Sequence, residues 1–368
     1  MNIPYLDLKI QYKAIEPQVK DIVEKVLAGG QYILGPEVGL CEEKLAEFTG
    51  APYCVSAASG TDALLMALLA HNIQAGDEVI VPAFSFFATA EVIALIGAKP
   101  VFVDIEPDTF NIDVSKMEAA ITGKTKAIMP VSLYGQVADM AEINAIAQKN
   151  GLVVIEDAAQ SFGADYQGKT SCNLSSYGCT SFFPAKPLGC FGDGGAVFCQ
   201  TEEQYKSLLE IRNHGQESRY YHTRLGYNGR LDTVQCAILL VKLERYPWEV
   251  EQRQKIAKIY NEGLSSLNTI STPVLKDDRD SVYAQYTVKV DKRDSFQKQL
   301  MELGVPTSIH YPKGMHEQPA LKEFAPSGPL AVTEDVCEKV ISLPLYADMP
   351  MEHVEYVVEK VKEVALKL

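Results

Sequence analysis

The chain has no CxxC pair, no cluster of histidines, a single tryptophan and no surplus of basic residues. Each gap excludes something. The eight cysteines, Cys41, Cys54, Cys172, Cys179, Cys190, Cys199, Cys236 and Cys337, are scattered, so a thiolate zinc site is excluded and no metal is expected. Scattered cysteines in a chain of 368 residues read as reduced, partly buried side chains of a cytoplasmic protein. Lys and Arg total 34 against 48 Asp and Glu, a formal net charge of −14. That balance argues against nucleic acid or an anionic membrane as partner, although a local basic pocket for a phosphate ligand remains compatible with it. The start, MNIPYLDLKIQYK, lacks a basic segment followed by an apolar run, so no secretory leader is expected. No GxGxxG follows a strand, so dinucleotide binding lacks its fingerprint. The long apolar stretch VIVPAFSFFATAEVIALIGA (79–98) is interrupted by Pro82 and carries Glu91. A buried strand, a turn and a buried helix are expected there, not a membrane span.

What is present is the content of an ordinary globular protein, 47% hydrophobic and 22% charged. The length favours two domains. From about residue 50 to 200, short apolar runs alternate with helix-length segments: PYCVSAA, DEVIVPA, KPVFVDI, KAIMPVSL and LVVIED are separated by stretches such as TDALLMALLAHN and DMAEINAIAQKNG. This alternation predicts an α/β fold, a mostly parallel central sheet with helices on both faces. TVQCAILLVKLERYPWEVEQRQKIAKIYNEGL (233–264) reads as a long linking helix, kinked or broken at Pro247. After it, VYAQYTVKV and PTSIHYP read as strands, RDSFQKQLMELG as a helix, and MEHVEYVVEKVKEVALKL as a closing amphipathic helix. The expected division is a large α/β domain over 1–250, with the N-terminal segment and linking helix, and a small C-terminal α+β domain over 251–368.

In open α/β sheets, ligands bind beyond the carboxyl ends of the strands. Three such ends carry chemistry. After the first, Ser59, Gly60 and Thr61 open a helix, where free amides and the helix dipole favour an anion such as phosphate; an ordinary N-cap would look the same. LVVIED ends in Asp157, an acid costly to bury unless a cation or donors face it. A helix cap or ion pair would explain it, as would a positively charged heterocycle with Gln160 at a nearby oxygen. The strand YGCTSFF leads to PAKPLGCFGDGG, where Lys186 stands between two prolines and ahead of four glycines. A phosphate cradle, a strand-end acid and a hemmed amine are what pyridoxal phosphate (PLP) requires: a lysine to form a Schiff base and an acid to keep the pyridine nitrogen protonated. Confinement helps the amine lose its proton.

The ordered segments SGTDAL, VIEDAAQSFGA, SFFPAKPLGCFGDGGA and GYNGRLDTVQCAIL resemble the DegT/DnrJ/EryC1/StrS family of sugar aminotransferases, from PYLDL near the start to ISLPLY near the end. The resemblance implies the PLP fold-type I (aspartate aminotransferase-like) architecture and a homodimer with shared active sites. Carried over by position, Lys186 matches the Schiff-base lysine and Asp157 the partner of the pyridine nitrogen. Gln160 matches the residue near the phenolic oxygen, Gly60 and Thr61 the phosphate-binding turn, and Ser181 a further phosphate contact. Phe86 matches the aromatic that stacks on the ring, and Asn228 the asparagine reaching the phosphate from the neighbouring subunit. Members with histidine in place of the lysine are sugar dehydratases; Lys186 favours transamination. L-glutamate is the expected donor, and the wording around Lys186 most resembles members whose acceptor is UDP-2-acetamido-2-deoxy-3-oxo-D-glucuronate, in surface polysaccharide (O-antigen, lipopolysaccharide) synthesis. Composition does not choose between 3-oxo and 4-oxo sugars, or between UDP and dTDP carriers, and a non-catalytic PLP-binding regulator of the same fold is the other reading. For the anionic sugar nucleotide, Tyr5, Arg230, His310 and Tyr311 are the candidate contacts. Arg230 would equally serve an interface ion pair, and His310 a packed position.

Overall fold

The computed structural model describes residue 1 and residues 3–368. Two helices come first, α1 (Leu8–Gly29) and α2 (Pro36–Thr49), followed by β1 (Tyr53–Ala57), α3 (Gly60–Ala70), β2 (Glu78–Pro82), α4 (Ala88–Leu95), β3 (Lys99–Val103), α5 (Val114–Ala120), β4 (Thr125–Ile128), α6 (Met140–Asn150) and β5 (Val153–Asp157). A short hairpin, β6 (Asp165–Tyr166) and β7 (Lys169–Thr170), precedes β8 (Tyr177–Ser181), β9 (Gly195–Cys199) and α7 (Glu202–Arg212). A second hairpin, β10 (Gln216–Ser218) and β11 (Tyr221–His222), leads to α8 (Thr233–Leu264). The remainder is β12 (Ile270–Ser271), β13 (Tyr286–Val290), α9 (Arg293–Glu302), α10 (Ala331–Lys339), β14 (Val340–Leu343) and α11 (Met351–Ala365).

Seven strands form one sheet in the order β1-β9-β8-β5-β4-β2-β3. β9 pairs antiparallel with both β1 and β8, and the other pairings are parallel. Alternate residues of each strand serve opposite faces. Val79 and Val81 of β2, with Val197 and Cys199 of β9, join the core beneath α3, α4 and α7. Ile80 meets α5 and α6 on the other face, while Ala196 and Phe198 meet α2 and α8. Because both faces are covered, β2 and β5 are buried at every residue, which is why they read as apolar runs instead of alternating ones. A second core surrounds the three-stranded sheet β12-β13-β14, filled by Tyr286, Val288, Phe296 and Leu300 and by Val354, Val357 and Val361 of α11. Ile3 packs into this second core, whereas Met315 and Leu321 return to the core of the large sheet.

Two local expectations change. α8 runs unbroken for 32 residues through Pro247. A proline removes one donor and crowds one earlier carbonyl, and packing on both cores along the helix holds it continuous. PTSIHYP contributes a single bridge, Ser308 to Ser342, on the edge of β14 that β13 leaves free, and no strand. GADYQGKT (163–170) has the spelling of a phosphate-binding loop, yet it folds as the β6–β7 hairpin, with Gln167 and Gly168 at positive φ and Lys169 exposed. Phosphate loops need a strand-to-helix turn with converging amides, so this spelling carries no such chemistry.

Among the described residues no helix is long and apolar enough to cross a membrane. All eight cysteines are free and buried. A buried ion pair ties three elements together: the Arg212 guanidinium on α7 donates to Glu42 on α2, whose carboxylate also accepts from the Ser56 amide of β1 at 2.9 Å and its hydroxyl at 2.7 Å.

Candidate active site

The carboxyl ends of β1, β5 and β8 open onto one cavity of about 480 Å³, lined among others by Ser59, Gly60, Thr61, Phe86, Asp157, Gln160, Ser181, Lys186, His310 and Tyr311. Strands of a parallel sheet end together, so residues more than a hundred positions apart converge without any local signal for it.

Asp157 closes the buried end of the cavity. Its Oδ2 accepts from the Thr89 hydroxyl at 2.7 Å, and its Oδ1 from the Ala159 amide at 3.2 Å. Thr89 is itself within 3.1 Å of the Ser85 hydroxyl. No cation lies within ion-pair distance of Asp157 among the described residues, and burial raises its pKa, opposed by those two hydrogen bonds and by the Lys186 charge. A charged carboxylate in that setting lacks its full complement of positive partners.

Lys186 follows β8 in a turn where its amide donates to the Phe183 carbonyl at 2.8 Å. The side chain is half-buried because it faces the open cavity, but the amine is closely surrounded by protein. That crowding lowers its pKa, while the Asp157 charge acts in the opposite sense.

Ser59 caps α3, its hydroxyl oxygen accepting from the Asp62 amide at 3.0 Å. Gly60 is held so close to β8 that a Cβ there would lie 2.6 Å from the Ser181 Cβ. The glycine therefore lets the α3 N-terminus and the Ser181 hydroxyl share one concave surface.

Gln160 is fixed at both ends: its Oε1 accepts from the Tyr134 amide at 2.7 Å, and its Nε2 donates to the Tyr311 hydroxyl at 3.1 Å. Burial pushes the Tyr311 phenol up. The Tyr134 hydroxyl donates to the His310 carbonyl. His310 Nδ1 lies 2.9 Å from the Ser342 hydroxyl, and burial, aided by the Lys186 charge, lowers its pKa to about 4. Phe86 stands at the rim, 57% exposed, with its ring centroid 6.2 Å from that of Tyr311.

Ten of the expected positions thus meet at, or beside, this cavity. Tyr5 lines a smaller pocket that shares His310 with it. Asn228 and Arg230 stand apart. Asn228 is exposed and bridged to Asn213, and Arg230 donates to the Asn213 side chain at 2.7 Å. Neither lines the cavity of its own chain. Thr89, Ser85, Tyr134 and Gln285 complete the surroundings without having been foreseen.

The DegT/DnrJ/EryC1/StrS aminotransferase family model matches residues 13–362. The chain belongs to that family. Among its relatives, the UDP-2-acetamido-2-deoxy-3-oxo-D-glucuronate aminotransferase of Pseudomonas aeruginosa is 53% identical over 94% of this chain and 95% of its own. A pleiotropic regulatory protein of Geobacillus stearothermophilus is 44% identical over 99% of this chain and 98% of its own. DesV of S. venezuelae, a solved structure, superposes with a TM-score of 0.98 at 37% identity, over 100% of this chain and 99% of that one. The sugar-aminotransferase fold of type I, with its mostly parallel sheet, is thereby the fold of this DegT/DnrJ-family chain.

Proposed function

We propose that this family member is a PLP-dependent aminotransferase that moves the amino group of L-glutamate to C3 of UDP-2-acetamido-2-deoxy-3-oxo-D-glucuronate. The observation that carries the reading is the pairing, in one cavity, of a desolvated Lys186 with a buried Asp157 that lacks a cationic partner. The 53% identity to the Pseudomonas aeruginosa enzyme supports the choice of sugar. The bound pyridoxamine phosphate of NtdA from Bacillus subtilis, 31% identical, supports the cofactor.

The residues suit PLP. When bound, the cofactor supplies an aldehyde for a lysine and a protonated ring that accepts electrons. Asp157 would hold the ring nitrogen protonated and gain the positive partner it lacks. Gly60 and Thr61 at the α3 N-terminus, with Ser181, form a surface for phosphate that any side chain at position 60 would fill. Gln160 would set the polarity beside the phenolic oxygen, and exposed Phe86 would cover the ring face. Lys186, whose pKa burial lowers against the opposing Asp157 charge, would anchor the aldehyde. Once displaced by the donor, the same amine would carry a proton to and from the substrate carbon. His310 stays neutral at neutral pH and, with Tyr311, Tyr5 and Arg230, would contact the sugar nucleotide.

A homodimer with shared active sites belongs to the same proposal. Asn228 and Arg230 lie outside their own cavity, so they would serve a partner's site. The β10–β11 segment leaves Tyr220 80% and Leu225 94% exposed, as a segment awaiting a second copy would. Cytoplasmic O-antigen precursor synthesis is the setting consistent with a nucleotide-linked sugar. Incubation with L-glutamate and the UDP-linked 3-oxo-uronate should yield the 3-amino sugar and 2-oxoglutarate by mass spectrometry. Faster amination of a dTDP-linked 4-oxo sugar would move the assignment to that substrate.

A further inference from the structure

Next to the main cavity lies a second, smaller pocket of about 80 Å³, bounded by Tyr5, Ala185, Arg253, Gln285 and His310. It shares Ala185, Gln285 and His310 with the main cavity, so the two adjoin. The pocket has room for several water-sized groups.

Arg253 is the anomaly in it. The side chain is 4% exposed, and its guanidinium donates to the Tyr283 carbonyl from Nη1 at 3.2 Å, while Nε has no partner. Among the described residues no carboxylate lies within 4.0 Å of it. The acid one turn back on α8, Glu249, is already engaged: it accepts from Gln11 at 2.9 and 3.0 Å and lies 3.5 Å from Arg245, which also pairs with Asp348. Lys242, 2% exposed on the same helix, adds another cation and faces the Phe191 ring. Arg253 thus has no anion bonded to it: Glu249 is taken up by Gln11 and Arg245, and half-buried Asp348 by Arg245. A buried guanidinium without an anion is strongly disfavoured, and its planar fork matches a carboxylate.

We propose that this pocket binds a substrate carboxylate, with Arg253 as its ion-pair partner and Tyr5 as the opposing wall. The inference rests on the aminotransferase reading, in which both L-glutamate and the uronate carry the required group. The pocket adjoins, through Ala185, Gln285 and His310, the cavity that Lys186 lines, so such a carboxylate would belong to a substrate reaching from that cavity.

The test uses the holoenzyme and Arg253→Gln, with glutarate as a carboxylate probe that has no amine to transfer. Calorimetry should find glutarate binding to the native protein and at least tenfold weaker binding to the variant, with the cofactor absorbance spectrum unchanged between the two. Equal binding to both proteins, or none to the native protein, overturns the proposal. Absorbance titrations then separate the sources. A rise of the half-saturating concentration confined to L-glutamate assigns the pocket to the donor, and one confined to the keto-sugar assigns it to the uronate. If Arg253→Gln does not fold, Arg253→Lys keeps the charge but loses the fork, and it should weaken glutarate while melting near the native temperature. Failure of L-glutamate to change the native spectrum would sink the aminotransferase reading instead, and glutarate calorimetry would still decide Arg253.

Discussion

At the scale of single residues, one shared environment moves Asp157 and Lys186 in opposite directions. Burial penalises the charge on each, raising the acid and lowering the amine. Asp157→Asn removes a charge that the fold holds at a cost, so the cofactor-free variant should melt at or above the native temperature. Its turnover should nevertheless fall by about 10²- to 10³-fold, since the lost charge acts on the bound ring. A lower melting temperature together with unchanged turnover would make Asp157 structural. Lys186→Ala should reduce turnover by at least about 10⁴-fold and abolish the lysine-linked absorbance band. His310 supplies a pH dependence. Its pKa is depressed from 6.5 to about 4, so the unfolded chain takes up the proton first. Its contribution to stability is intact above 6.5 and is lost as pH falls towards 4, by up to about 1.4 kcal/mol per pH unit. His310→Gln should flatten the melting temperature across that window relative to the native protein. The named residues were legible because Lys186 sits among prolines and glycines, and Asp157 ends an apolar strand. Thr89 was not, since a threonine inside FSFFAT gives no sign that it will meet an acid 68 positions later.

At the scale of elements, the site depends on how closely α3 meets β8 and how α2, β1 and α7 lock. Gly60→Ala would force its Cβ against the Ser181 Cβ at 2.6 Å, and both belong to regular elements that cannot yield separately. A loss of roughly 1–3 kcal/mol is expected from the denaturation midpoint, with weaker cofactor retention. Arg212→Met would leave Glu42 buried against Ser56 without its cation, which should cost about 3–5 kcal/mol. Strands were the readable elements, because burial on both faces makes them continuous apolar runs ending in turn residues. α1 and α2 went unremarked: α1 buries just Ile15, Val19 and Val26 and contains Pro17, so its periodicity is faint. The continuity of α8 through Pro247 and the antiparallel placement of β9 are decided by tertiary packing, which no local pattern encodes. We also propose that the two cores act as separate domains about α8, dividing near residue 250.

At the scale of the whole molecule, one chain supplies an acid, an amine and a phosphate surface, while Asn228 and Arg230 do not line that cavity. If a second copy completes each site, Lys186→Ala and Asn228→Ala chains, each impaired alone, should complement when co-expressed. In a random mixture about half of the dimers are heterodimers with one intact site of two, so roughly a quarter of native activity would return; no recovery in verified heterodimers would place Asn228 in its own chain's site. The central claim is tested most directly by the absorbance spectrum of the purified protein before and after L-glutamate. A band from lysine-linked PLP that converts to the shorter-wavelength amine form, and returns on adding the keto-sugar, is the predicted result. A band that L-glutamate leaves unchanged, or no band even after PLP is supplied, would contradict it.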